Sequence, residues 1–168
     1  MLIVEDGTGL SSANASISLA EFKAYCDPRG KDYSAFSDEL INQAIVRTGT
    51  FLSSLNWRGY RSFQRQQTMP FPRFGLFDKE GWPILENEIP QEYKDASAEI
   101  AFAEVVTPFT MTPSVTQSDK VLHEQVGPIS TTYANLFTAA SDARPVIVLV
   151  RDLLAPFLEA PRGAHLLR

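Results

Sequence analysis

The chain has 168 residues and a mass of 18.7 kDa, which is room for one domain with a terminal tail or a long ordered loop. Its 44% hydrophobic and 21% charged residues are the composition of a globular protein whose core can hold without covalent staples. The single cysteine, Cys26, excludes an intrachain disulfide framework and any cluster of thiolate ligands; it reads as a buried reduced thiol. A formal net charge of −5 and a pI near 5.0 disfavour general duplex binding, which needs many Lys and Arg contacts to phosphate. A local basic patch remains compatible with that total.

The opening Met1-Leu2-Ile3-Val4-Glu5-Asp6-Gly7 has neither a basic n-region nor a long apolar h-region. The longest strongly apolar run, Pro145 to Val150, is far short of the ~20 residues a membrane span needs. The expected setting is therefore the cytosol or a particle assembled there, with no membrane partner.

In chain order, Asp6 to Ser16 is rich in Gly, Ser and Asn and reads as an extended lead-in. Ser18-Leu19-Ala20-Glu21 fits a capping box, and Leu19, Phe22 and Tyr25 share the face of a short helix. Asp27-Pro28-Arg29-Gly30 stops it, because Pro28 disfavours helical backbone at Asp27 and Gly30 tolerates a turn. The next helix is the clearest. Ser37 is its N-cap, Asp38 and Glu39 suit the helix dipole, and Leu40, Ile41, Ala44, Ile45, Thr48, Phe51, Leu52 and Leu55 recur at helical spacing. Gly49 in its middle marks close approach by another helix.

From Asn56 to Glu88 no helical period survives, and Pro70, Pro72 and Pro83 with Gly59, Gly75 and Gly81 punctuate the chain. The segment is unusually aromatic, so it must pack against something. Asp78 to Gly81 reads as a turn between two short extended runs. A second good helix opens at Pro90 in its first turn and ends near Pro108. Thr107 to Ser118 reads as loop, and Lys120 to Tyr133 as a β-ribbon bent at Gly127-Pro128. Asn135 to Ala143 is again loop. Pro145 onwards, with Ser141 and Asp142 as caps, is predicted to be a helix ending at Pro156. The fold class is mainly α: a small bundle of about four helices with a long aromatic-rich loop, a short ribbon and a C-terminal tail. Residues 1–158 form one domain and 159–168 the tail.

Catalytic chemistry is poorly supported. His123 would alternate with Glu124 on opposite faces of the ribbon, no nucleophile elbow accompanies it, and His165 sits in the tail. There is no phosphate-cradling loop, paired-histidine motif or calcium loop, so no catalytic residue, cofactor or metal is expected. Asp95, Glu99 and Glu104 read as a solvated helix face. One constellation carries chemistry: Trp57-Arg58-Gly59-Tyr60-Arg61-Ser62-Phe63-Gln64-Arg65, continued by Phe71-Pro72-Arg73-Phe74. Arginines alternating with aromatics can stack bases and neutralise phosphates of a single strand, but the same residue types are enriched in protein interfaces. The acidic total favours core or interface over nucleic acid here. Trp57, Arg58, Tyr60, Arg61, Arg65 and Arg73 are the candidates for either role.

These residues also carry a resemblance. The opening Met1 to Gly9 with Asn14 and Ser18-Leu19-Ala20-Glu21, then Trp57-Arg58-Gly59, Pro72-Arg73 with Asp78 to Gly81, and Ile89-Pro90 before an alanine-rich helix resemble tailed-phage head-to-tail connector proteins. Glu124-Gln125-Val126-Gly127-Pro128-Ile129 through Tyr133, and Pro145 before an apolar helix, continue the likeness over nearly the whole chain. Phe71 stands where Trp commonly precedes the Pro-Arg pair. The same group is often labelled DnaT-like single-stranded-DNA-binding. The resemblance implies a virion neck protein assembled in the host cytoplasm, forming a ring of usually twelve copies. Its partners would be the portal, a tail-side neck or tail-terminator protein and, transiently, the genomic DNA in the channel. Arg162, Leu166, Leu167 and Arg168 in the tail are the candidates for portal docking. The other reading is a single-strand-binding protein using Trp57, Arg58, Tyr60, Arg61 and Arg73.

Overall fold

The computed structural model describes residues 1–113, 123–126, 129–132 and 145–159. The expected loop from Asn135 to Ala143, the caps Ser141 and Asp142, His165 and the docking candidates Arg162, Leu166, Leu167 and Arg168 lie outside the described residues. Within them the fold is mainly helical: α1 (Leu19–Cys26), α2 (Asp38–Ser53), α3 (Gln91–Val106) and α4 (Val148–Leu154). Two antiparallel ribbons, β1 (Tyr60–Arg61) with β2 (Arg73–Phe74) and β3 (His123–Val126) with β4 (Ile129–Thr132), complete it.

The lead-in is tied down by its own backbone. Glu5 N–H donates to Ala15 O at 3.0 Å and Asn14 N–H to Ile3 O at 2.9 Å, while Asn14 Oδ1 accepts from Ile3 N–H. Helix α1 begins with the complete capping box of Ser18 and Glu21. Asp27 keeps helical angles despite Pro28, and the chain passes through a 3₁₀ turn to Gly30 at φ +64°. The α-helix thus ends at Cys26, at the run where the sequence placed its stop, and the left-handed Gly30 closes the 3₁₀ turn that follows.

Helices α2 and α3 pack side by side and form the hub, with α1 against both and α4 against α3. Small residues of α3 (Ala96, Ser97, Ala98, Ala101) are buried and let the backbones approach. One core gathers Ile17, Phe22, Cys26, Ile41 and Ile45 with Ala98 and Ala101. A second gathers Leu52, Trp57, Phe71, Tyr93, Ile100, Leu154 and Phe157. Each large side chain fully buried in these cores contributes on the order of 1.5–3 kcal/mol.

Four expectations change. Leu40 is exposed rather than on the buried face. Gly49 is approached not by a helix but by the lead-in loop: a Cβ there would lie 2.6 Å from Asn14 O. Glu99 and Glu104 are buried, not solvated. Glu104 accepts from Arg47 Nε at 2.7 Å and from the N–H groups of Phe109 and Met111, so it caps the chain leaving α3. Glu99 takes Tyr25 O–H at 2.7 Å and pairs with Lys31. Finally α4 starts at Val148, with Pro145 to Ile147 outside the helix and Ile147 extended.

Candidate nucleic-acid interface

The segment after α2 is built around Trp57. Its indole N–H donates to Leu52 O at 2.8 Å, and its ring meets the edges of Phe71 and Tyr93 at centroid distances of 5.4 and 5.5 Å. Phe71 in turn lies against Phe157, which follows α4. The aromatic load of this segment is thus what fixes it to the helices. Arg58 leaves this cluster for the surface, its N–H on Phe157 O and one guanidinium N–H on Pro156 O.

Gly59 turns the chain at φ +63°, where a Cβ would lie 2.3 Å from Phe74 O. That close approach brings β1 onto β2, pairing Tyr60 with Phe74 and Arg61 with Arg73. The two rings stand 5.5 Å apart, tilted by 31°, with Tyr60 71% and Phe74 39% exposed. An open pair of π-faces is the result, on a ribbon short enough to leave both rings accessible.

The two arginines of the ribbon have different fates. Arg73 is buried, and its guanidinium donates to the carbonyls of Arg58, Pro70, Trp57 and Gly59. Burial, and next the neighbouring Arg61 charge, push its pKa down from the ordinary arginine value. Arg61 is half-buried and donates to Gln67 O at 3.0 Å. Gln67 is wholly buried and clips the loop, donating to Met69 O and Pro72 O. Arg65 lies exposed in the 3₁₀ turn between the strands. The hydrogen-bond partners described for Arg58 and Arg61 are carbonyls, which orient a guanidinium without neutralising it.

Of the six sequence candidates, Trp57 and Arg73 are therefore interior scaffold. Arg58, Tyr60, Arg61 and Arg65 reach the surface along one segment. Sequence reasoning did not single out Phe74 for the site, although it closed the alternating run; only the strand register brings it beside Tyr60. It also passed over Trp82 and Phe77, which are 69% and 56% exposed. They flank the Asp78 turn, in which Asp78 Oδ1 accepts from Glu80 N–H and Trp82 N–H. Among the described residues no group of three or more His, Cys, Asp or Glu is placed to hold a metal ion, and no helix is long and apolar enough to cross a membrane.

The family described as "Putative DnaT-like ssDNA binding protein" covers residues 1–168. No curated protein and no solved structure matches the chain, and the connector resemblance finds no counterpart in these comparisons. The match spans the paired aromatics, the flanking arginines and the helical body alike: the chain belongs to the DnaT-like single-stranded-DNA-binding family.

Proposed function

We propose that the chain binds single-stranded nucleic acid without catalysing a reaction, using the β1–β2 ribbon as its contact surface. The observation that carries this reading is the exposed Tyr60–Phe74 ring pair with Arg58 and Arg61 on the same segment. Base stacking on aromatic side chains contributes about 1–3 kcal/mol per base. The arginines supply local positive charge within a chain whose net charge is −5. Stacking tolerates any base, so the surface suits binding with little sequence preference.

The test is fluorescence anisotropy with a labelled single-stranded oligonucleotide across a salt series. Tyr60→Ala and Phe74→Ala are each expected to weaken binding by roughly 5- to 100-fold. Reversing Arg58 and Arg61 to Glu is expected to flatten the salt dependence, because fewer counterions are released. Wild-type affinity in all four variants would overturn the reading.

A second reading, the neck connector joining portal to tail, draws support from a different observation. Val146, Val148 and Leu149 beside and on α4 are 71%, 55% and 49% exposed, and Leu85 is 65% exposed. Apolar surface of this kind fits burial between subunits. In that reading the chain forms a ring in the virion, docks the portal and contacts DNA only in transit. Native mass measurement with and without portal rings tests it: a chain that never associates with the portal would sink it.

A further inference from the structure

The β3–β4 hairpin is in register from His123 opposite Thr132 to Val126 opposite Ile129, yet among the described residues no other element touches it. The body on either side of its segment converges on one place: Met111 and Pro145 to Ile147 line a single apolar groove of about 170 Å³ with Phe51, Leu55 and Val150. The segment therefore departs and returns beside an apolar patch whose Val146, Val148 and Leu149 are exposed.

A two-stranded hairpin alone is marginal in water; a third strand or a packed helix is needed to hold it. Each outer edge of such a ribbon also presents unpaired N–H and C=O groups. Monomeric proteins protect such edges with lysine, proline or very short strands. The two edges here differ. β3 carries His123 and Glu124, whereas β4 reads Ile129-Ser130-Thr131-Thr132, with no charge and no proline. An antiparallel partner identical to β4 would set hydroxyl and β-branched residues opposite one another, pairs that stabilise a sheet, with no like charges facing. The β1–β2 ribbon, two residues per strand, is too short to serve as that partner.

We propose that β4 pairs edge to edge with β4 of a second copy of this chain, across a two-fold axis, giving a four-stranded sheet. Two-fold contacts use one patch on both subunits, which is what a self-complementary edge supplies. This inference rests on neither functional reading above.

The test uses the full chain and light scattering after size exclusion. Ser130 and Thr132 are two apart and fall on one face of the strand. The double variant Ser130→Lys/Thr132→Lys, and separately Ser130→Glu/Thr132→Glu, are expected to elute at the single-chain mass of 18.7 kDa. With Thr131 on the two-fold axis, Ser130 of one copy faces Thr132 of the other, so their equimolar mixture sets opposite charges across the pair and is expected to recover the wild-type mass. Circular dichroism of each variant should keep the helical signal, because the hairpin touches none of the described helices. A monomeric wild type would overturn the pairing. So would variants that keep the wild-type mass, or a mixture that fails to recover it. Oligonucleotide affinity measured on the same samples is expected to stay at the wild-type value. A loss of that affinity with unchanged mass would overturn the pairing and move strand binding to the hairpin.

Discussion

Arg73 is surrounded by four carbonyl oxygens, and Arg65, eight positions earlier, lies in open solvent. Truncating Arg73 to Ala strips those acceptors of a charged donor inside the fold, so a loss of about 2–4 kcal/mol is expected. Arg65→Ala is expected to stay within about 0.5 kcal/mol of wild type. Urea unfolding of the two variants makes the comparison, and equal midpoints would mean that the carbonyl cage does not hold the loop. At this scale the sequence was half legible. Alternating arginines and aromatics marked the right segment, but alternation alone cannot say which members face inward. That is decided by Gly59, which reverses the chain and sets Arg61 against Arg73. The acids of α3 were misread for a related reason. Glu99 and Glu104 look like solvated charges until their partners arrive from far away in sequence, Lys31 and Arg47.

Helix starts with a side-chain signature were legible, and starts set by packing were not. Ser18 with Glu21, and Ser37, cap α1 and α2 where their local chemistry says they should. α4 has no such cap, and three residues that were expected to be helical lie outside it and line the groove instead. Gly49 shows how tertiary contact overrides propensity. Gly49→Ala would gain up to ~1 kcal/mol of intrinsic helix preference, but its Cβ would press on a backbone carbonyl 2.6 Å away. Overpacking of this kind costs about 1–3 kcal/mol, so a net loss of thermal stability is expected in a melting experiment. A stabilised Ala variant would mean that the lead-in loop yields at little cost.

Over the whole molecule, several buried acids are held in their neutral forms. Burial raises the Cys26 thiol from 9.0 to about 11, with Lys31 opposing and Glu99 adding to the shift. Burial and then the bond to Glu99 raise Tyr25, and burial raises Tyr93. Each folded-state value lies above the unfolded one, so the fold binds these protons more tightly than the open chain does. Their contribution is fully present below about pH 9 and is lost as pH rises through the folded values. Urea midpoints are expected to be insensitive to these groups up to that point and to fall beyond it. Cys26→Ala should remove the part of the decline between pH 9 and 11. A midpoint that holds steady to pH 11 would contradict the burial of these groups. The mainly helical class was legible at this scale from periodicity. The division into two cores was not, because it depends on which faces of α2 and α3 each loop reaches.

The contrast between the two tryptophans has a practical consequence. Trp57 is enclosed among Phe71 and Tyr93, while Trp82 stands 69% exposed beyond the ribbon, and the chain has no other indole. One excitation wavelength therefore reads two environments at once. Blue-shifted emission that aqueous quenchers reach poorly belongs to Trp57 and tracks the integrity of the second core. Red-shifted emission open to iodide belongs to Trp82 and tracks whatever covers that face. An unlabelled sample can in this way separate a ligand that shields the surface from a mutation that loosens the interior.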